Sequence, residues 1–326
     1  RNANNVDLNR NYPDPEDGQH PDGNPWQEET IAFMAFADSV QGTVSANLHG
    51  GAEVANYPWD TWAKLHPDND WWVDVCRRYA DTVHAHAPSY VFDDLNNGIT
   101  NGYAWYSISG GRQDYLNYYA YCRELTLEVS NTKLLPESQL DNYWNYHHRS
   151  LINYIKEAWY GMRGIVIDSI TGNPVAGKIF AHLHDADSSH IYSDAVTGKW
   201  FRPAHPGSYT LSFSASGYKT KTFQITAPPL DTIVVKVRLA PLPVSVKEQN
   251  IDVPLLRYCS IKKQITVVGI DNQRSQLQIF DLNGKLIDQA TLFSDNFYNV
   301  GHLAKGNYIA HLMTSQQAGI VLKFIR

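Results

Sequence analysis

The 326-residue sequence predicts an α/β domain, a mixed sheet flanked by helices, followed by two small all-β sandwich domains. Three observations predict it. Up to Tyr160, helix-period and strand-period apolar patterns alternate. After Gly161 the pattern becomes short alternating strands punctuated by Gly, Pro and Asn. A Pro-punctuated stretch from Pro241 to Pro254 then splits the β region in two. The expected domains are residues 1–160, 161–241 and 256–326, with a linker over 242–255.

In chain order, a helix is expected from about Gln27 to Val40, after the Asn24-Pro25 start signal. Val44, Ala46 and Leu48 then alternate with Ser45, Asn47 and His49 as a strand. A second helix, about Asp68 to His86, carries Trp72, Val75, Cys76, Tyr79, Ala80 and Val83 at i, i+3, i+4 spacing. A second strand follows in the alternation of Leu125, Leu127 and Val129 with Glu124, Thr126 and Glu128. The helix closing the first domain, about Glu137 to Ala158, begins after Pro136 and aligns Leu140, Trp144, Leu151, Ile155 and Ala158. In α/β domains ligands bind at the carboxyl ends of strands, and His49 and Glu128 sit near such ends.

The second region reads as strands near Arg163–Asp168, Lys178–Leu183, Tyr209–Ser214, Lys219–Ile225 and Ile233–Leu239, with a turn at Thr171-Gly172-Asn173-Pro174. The third has strands near Leu277–Asp281, Lys285–Thr291, Tyr308–Met313 and Val321–Ile325. Asn283-Gly284 is its expected hairpin turn.

With 43% hydrophobic and 18% charged residues the chain can build folded cores. A net charge of −6 with no basic cluster speaks against a nucleic-acid partner. No apolar run approaches the roughly 20 residues that cross a bilayer as a helix, so no transmembrane segment is expected. Cys76, Cys122 and Cys259 are too scattered for a disulfide framework or a CxxC metal site.

Chemistry concentrates in four blocks. Asn4-Asn5-Val6-Asp7-Leu8-Asn9-Arg10-Asn11-Tyr12-Pro13-Asp14 surrounds one Arg with amides and carboxylates. It reads either as a capped loop or as a grip in which Arg10 holds a carboxylate and Asn9 adds a neutral donor. In Asn47-Leu48-His49-Gly50-Gly51 a His leaves a strand before two glycines, which suits a metal ligand or a satisfied surface residue. Gly98 to Tyr106 runs into Ser109-Gly110-Gly111-Arg112-Gln113-Asp114-Tyr115, and the strand Glu124-Leu125-Thr126-Leu127-Glu128 follows.

Together these blocks resemble, over residues 1–160, the zinc carboxypeptidases of the carboxypeptidase N/E kind. That family carries an Asp-Leu-Asn-Arg-Asn block, an Asn-Leu-His-Gly-Gly block, an aromatic-Tyr pair before Gly-Gly and a Glu on the last core strand, in this order. The resemblance implies an exopeptidase that releases a basic C-terminal residue from peptides or proteins. It casts His49 as a Zn2+ ligand and Glu128 as general base. Asn9 and Arg10 would hold the substrate carboxylate, Tyr106 would close over it, and Asp60 with Gln113 would receive a basic side chain. Read without the family, Asp60 caps a turn and Gln113 is a surface amide.

The family's other two zinc ligands come from a His-x-x-Glu block upstream of the Asn-Arg pair, and nothing here matches it. Two further ligands are therefore expected before Arg1, with the catalytic domain incomplete at its N-terminus and the 326 residues inactive alone. The family's carbonyl-polarising Arg would fall one residue before Arg1, so Arg1 is not given that role. His147 and His148 are read as surface or packing residues.

Residues 161–241, with Asp-x-x-Thr-Gly-x-Pro at their start, resemble the transthyretin-like domain of the same enzymes, and a structural role is expected; His182 and His184 are not read as a metal site. Residues 256–326 resemble the C-terminal sorting domain of bacterial type IX secretion, in Leu277 to Lys285, Leu303 to Tyr308 and Leu322-Lys323-Phe324-Ile325. That implies the secretion machinery as partner and a secreted or cell-surface location across the outer membrane. The alternatives are a non-catalytic peptide-binding relative and a surface β-domain adhesin.

Overall fold

The computed structural model describes residues 1–243, 255–268, 275–292, 297–313 and 319–326. The expected linker therefore lies outside the described residues from 244 to 254. The chain divides into two compact units, Arg1–Leu242 and Pro243–Arg326.

The first unit opens with a 3-10 turn, Leu8–Arg10, capped by Asp7, whose carboxylate accepts the Asn9 N–H. There follow α1 (Glu28–Val40), β1 (Val44–His49), β2 (Ala52–Tyr57), α2 (Asn69–His84), the irregular single turn α3 (Asp94–Gly98) and β3 (Ile99–Asn101). Then come α4 (Gly102–Trp105), α5 (Arg112–Tyr118), β4 (Arg123–Ser130) and α6 (Glu137–Lys156). The sheet runs β1-β4-β2-β3. β4 is parallel to β1 and antiparallel to β2, so the sheet is mixed. β2 has no alternating polarity to betray it, because all six of its residues are buried.

Helix α2 buries its expected stripe, including Trp72, Val75, Cys76, Tyr79, Ala80 and Val83, against Ala55, Phe92, Leu125 and Leu127. Each large side chain so buried contributes about 1.5–3 kcal/mol. Helix α6 corrects the expectation. Leu140, Trp144 and Ile155 are exposed at 52%, 61% and 63%, and the buried residues are His147, Ser150 and Tyr154. The reason is hydrogen bonding: Ser150 Oγ donates to Tyr79 O, Tyr154 OH to Ser45 O and Arg123 O, and His147 Nδ1 lies 3.0 Å from Tyr79 OH. Ser150 and Tyr154 are satisfied by the core they enter, while His147 is engaged at Nδ1 and its Nε2 is buried with no partner among the described residues.

A β-sandwich follows in the same unit: β5 (Gly161–Asp168), β6 (Lys178–Ala181), β7 (Ile191–Tyr192), β8 (Lys199–Arg202), β9 (Gly207–Ser214), β10 (Lys221–Ala227) and β11 (Thr232–Leu239). Its sheets, β10-β9-β6-β7 and β11-β5-β8, enclose a separate core with Val166, Ile179, Trp200, Leu211, Phe213 and Val237. The turn after β5 forms because Asp168 Oδ1 accepts the N–H groups of Ile170 and Thr171 and Gly172 adopts φ +75°.

The α/β layer and this sandwich meet at a buried charge cluster. Asp68, the residue before α2, accepts Arg123 Nε at 2.7 Å and lies 3.4 Å from Arg202 Nη2 and 2.6 Å from His184 Nε2. Arg202 also pairs with Asp185, and both Arg123 and Arg202 donate to Ser189 O. Burial works against a charged Asp68, but Arg123 and Arg202 outweigh it and hold the carboxyl well below the usual carboxylate range. His184 is thus engaged with a carboxylate, and His182 is exposed.

The second unit contains β12 (Leu255–Cys259), β13 (Gln264–Val268), β14 (Ser275–Asp281), β15 (Leu286–Leu292), β16 (Phe297–Asn299), β17 (Asn307–Met313) and β18 (Ile320–Ile325). Its sheets are β12-β13-β16 and β15-β14-β17-β18, around Ile265, Val267, Leu277, Ile279, Ala310 and Leu312. The β14–β15 turn differs from a two-residue Asn-Gly turn. Only Gly284 takes positive φ, at +81°, and Asp281 bridges to the N–H groups of Asn283 and Lys285. The register shift between Ile279 and Phe280 fits a longer turn ending in a bulge. All three cysteines are free thiols, and no helix among the described residues is long and apolar enough to cross a membrane.

Candidate active site

His49 and Glu128 are paired neighbours across β1 and β4, because parallel register puts the end of one strand beside the end of the other. His49 Nδ1 lies 3.7 Å from Glu128 Oε1. Glu128 Oε2 is buried with no hydrogen-bond partner among the described residues. Burial raises the Glu128 pKa, and Lys133 opposes that rise. His49 is pushed the other way, first by burial and then by Arg112 and Arg10. A histidine held neutral keeps a lone pair to offer, which is what a metal ligand needs.

The glycines after His49 have a steric reason. Gly51 takes φ +130°, and a Cβ there would stand 3.1 Å from Lys133 Cε. A Cβ on Gly50 would stand 3.4 Å from Lys133 Cα. The Gly51 N–H donates to Ser130 O, tying this turn to the end of β4.

The Asn9–Arg10 segment is half-buried and pinned to the start of α5, where Asn9 Oδ1 accepts the Arg112 N–H at 2.9 Å. Among the described residues the Arg10 guanidinium donates only to Asn9 O, through Nη1, which leaves much of the fork for another partner. Gly110, at φ +72°, allows the close approach, since a Cβ there would lie 2.3 Å from Arg10 O. Arg112 turns inward instead, forking onto Glu124 at 2.8 and 3.0 Å, and does not join the grip.

Gln113 is 1% exposed and so is not a surface amide, and the carboxylate of Asp60, 3% exposed, accepts side-chain amides and not the N–H groups of a turn. Asp60 Oδ1 accepts Asn56 Nδ2 at 3.0 Å and Gln113 Nε2 at 3.1 Å. Each amide thus donates one bond to Asp60, and among the described residues Asn56 Oδ1 and Gln113 Oε1 remain buried without partners. One carboxylate and two free amide oxygens suit a guest with several N–H groups. Burial lifts the Asp60 pKa to about 6 against the pull of Asn56 and Arg10, and burial with the neighbouring Asp60 charge lifts Asp114, which accepts the Asp60 and Thr61 N–H groups, well above the usual carboxylate range. Asn56 was missed in the sequence; its spacing of four before Asp60 was the available signal.

Gly102 packs against this carboxylate, where an added Cβ would fall 1.7 Å from Asp60 Oδ1. Gly102→Ala should therefore displace Asp60 and cost about 1–3 kcal/mol, read as a lowered Tm. Gly102 also starts α4, which is followed by Tyr106, 50% exposed and with no hydroxyl hydrogen bond among the described residues. The Tyr106 ring packs edge-on against Trp105, with centroids 4.8 Å apart, and its hydroxyl bonds neither Arg10 nor Asp60. Arg1 is exposed and donates to Asn5 O.

As to a metal, His49 fits one position of a zinc site by its neutrality and its place beside Glu128. Among the described residues no group of three His, Cys, Asp or Glu could hold the ion.

Residues 1–150 match the family model described as zinc carboxypeptidase, and residues 260–325 match the secretion system C-terminal sorting domain. Human (Homo sapiens) carboxypeptidase D is 36% identical over 251 residues, covering 73% of this chain and 18% of that protein. Carboxypeptidase M of Mus musculus is 35% identical over 70% of this chain and 53% of its own length. The human carboxypeptidase N catalytic chain is 32% identical over 73% of this chain and 57% of its own. The chain thus spans between about a fifth and three fifths of these relatives.

Proposed function

The chain carries a zinc carboxypeptidase domain in residues 1–150 and a secretion-system C-terminal sorting domain in residues 260–325, and from that premise we propose that the whole protein is a zinc-dependent exopeptidase releasing C-terminal Arg or Lys. The sorting domain makes it a secreted or cell-surface protein. The observation that carries the basic preference is the buried Asp60 with the two unpartnered amide oxygens of Asn56 and Gln113. A guanidinium or ammonium would satisfy all three, whereas an apolar side chain would leave them buried and unpaired.

In this reading Asn9 and Arg10 hold the substrate's terminal carboxylate, which rejects internal peptide bonds, and Tyr106 closes over that end. Glu128 Oε2, free of protein partners, takes a proton from the attacking water and returns it to the leaving amine. His49 would hold zinc together with two ligands from polypeptide preceding Arg1; when bound, the ion supplies Lewis-acid polarisation of the carbonyl and of water. Residues 1–160 are the later part of the catalytic domain, 161–241 a transthyretin-like sandwich and 256–326 the sorting domain, recognised by secretion machinery. Without the upstream ligands the 326 residues should not turn over peptides.

The test is an assay of the complete protein on peptides ending in Arg, Lys, Phe or Leu. Arg and Lys should lead, and Asp60→Asn should remove that lead; faster cleavage of Phe or Leu refutes the basic preference. The pH profile adds a second check. Only ionised Asp60 attracts a cation, so kcat/KM for Arg-ending peptides should fall as pH drops through about 6. Asp60→Asn should lose that limb.

A further inference from the structure

We propose that Lys133 determines specificity one residue before the scissile bond, favouring an acidic side chain at the penultimate position of the substrate; this deepens the carboxypeptidase reading and rests on it. That reading fixes the direction of the peptide. The last residue occupies the Asp60 end with its carboxylate on Arg10, and the scissile bond lies at His49 and Glu128. The penultimate residue therefore extends past the ends of β1 and β4, away from Asp60.

Lys133 is what the fold puts there. It follows β4 by three residues, and its stem lies along the Gly50–Gly51 turn directly after His49. The loop bearing it is fastened: Gly51 N donates to Ser130 O at 2.8 Å, and the Thr132 N–H donates to Ser130 Oγ at 3.1 Å. Lys133 is exposed and forms no ion pair or side-chain hydrogen bond among the described residues, unlike Arg112, which is committed to Glu124. A cation whose stem packs along these two glycines, next to His49, attracts a carboxylate and repels an ammonium. The penultimate position is where a bound peptide would present either.

The experiment uses the complete protein and peptides alike except for Glu, Ala or Lys before a terminal Arg. For exposed pairs, attraction and repulsion together should make kcat/KM about five- to ten-fold higher for Glu than for Lys. Lys133→Ala should bring that ratio near one, Lys133→Glu should invert it, and high salt should compress it in the wild type. Because the ratio is taken within each variant, changes at Glu128 or in the folded fraction cancel. An equal ratio in all three proteins overturns the role of Lys133 while leaving the carboxypeptidase reading intact. Failure of the wild type to cleave any of the peptides overturns that reading and this inference with it.

Discussion

Glu128→Gln in the complete protein should lower kcat by about 10²–10⁴-fold while KM for Arg-ending peptides stays close to wild type. The amide fills the same space between β1 and β4 but cannot take a proton. The groups that would bind substrate, Arg10, Asn9, Asp60 and Gln113, hydrogen-bond among themselves and to α5 and make no hydrogen bond to Glu128. Steady-state kinetics with parallel binding of an Arg-ending peptide separate the two effects. Unchanged turnover would remove Glu128 from the chemistry. A wild-type protein that binds such peptides without cutting them would instead be a non-catalytic peptide-binding relative.

The largest effect on stability is expected at Asp68→Asn. Asp68 is 3% exposed and faces two arginines that are each 1% exposed. Loss of its charge leaves buried Arg123 without a counter-ion and Arg202 with Asp185 alone, which costs about 3–5 kcal/mol. In a unit of this size each kcal/mol lowers Tm by about 2–4 °C, so calorimetry should register a drop on the order of 10 °C. The sign with pH follows from the depressed Asp68 pKa. Its contribution is complete above the unfolded carboxylate value of about 4 and is lost as acid protonates it. The variant should therefore lose less stability than wild type between neutral and acid pH; an equal acid loss would show that Asp68 is not the linked group.

Much of this was legible in sequence, for reasons that differ by element. Helix α2 was readable because its six apolar positions repeat with the helical period and all of them face the core. Helix α6 was readable as a helix but not in its orientation. Its apolar stripe looked like the buried face, whereas Tyr154, Ser150 and His147 enter the core through hydrogen bonds that no periodicity reveals. Strand β2 carried no alternation because both its faces are covered. At the site, His49 and Glu128 were signalled by their places at strand ends. Their adjacency depends on the parallel β1–β4 register, a fact of topology. The free oxygens of Asn56 and Gln113 were invisible, since they arise from which end of each amide meets Asp60.

The junction at Asp68 also bears on how such a protein can be reassembled from parts. Tyr160 and Gly161 look like a natural crossover point between modules, yet a splice there draws Asp68 and Arg123 from one parent and His184, Asp185 and Arg202 from the other. A chimera inherits a balanced set of charges only if both parents use the same arrangement. Otherwise it seals an unmatched ion inside its own seam. For recombination, Arg1–Leu242 is the heritable block, and exchange is safest after Leu242, where the second compact unit begins.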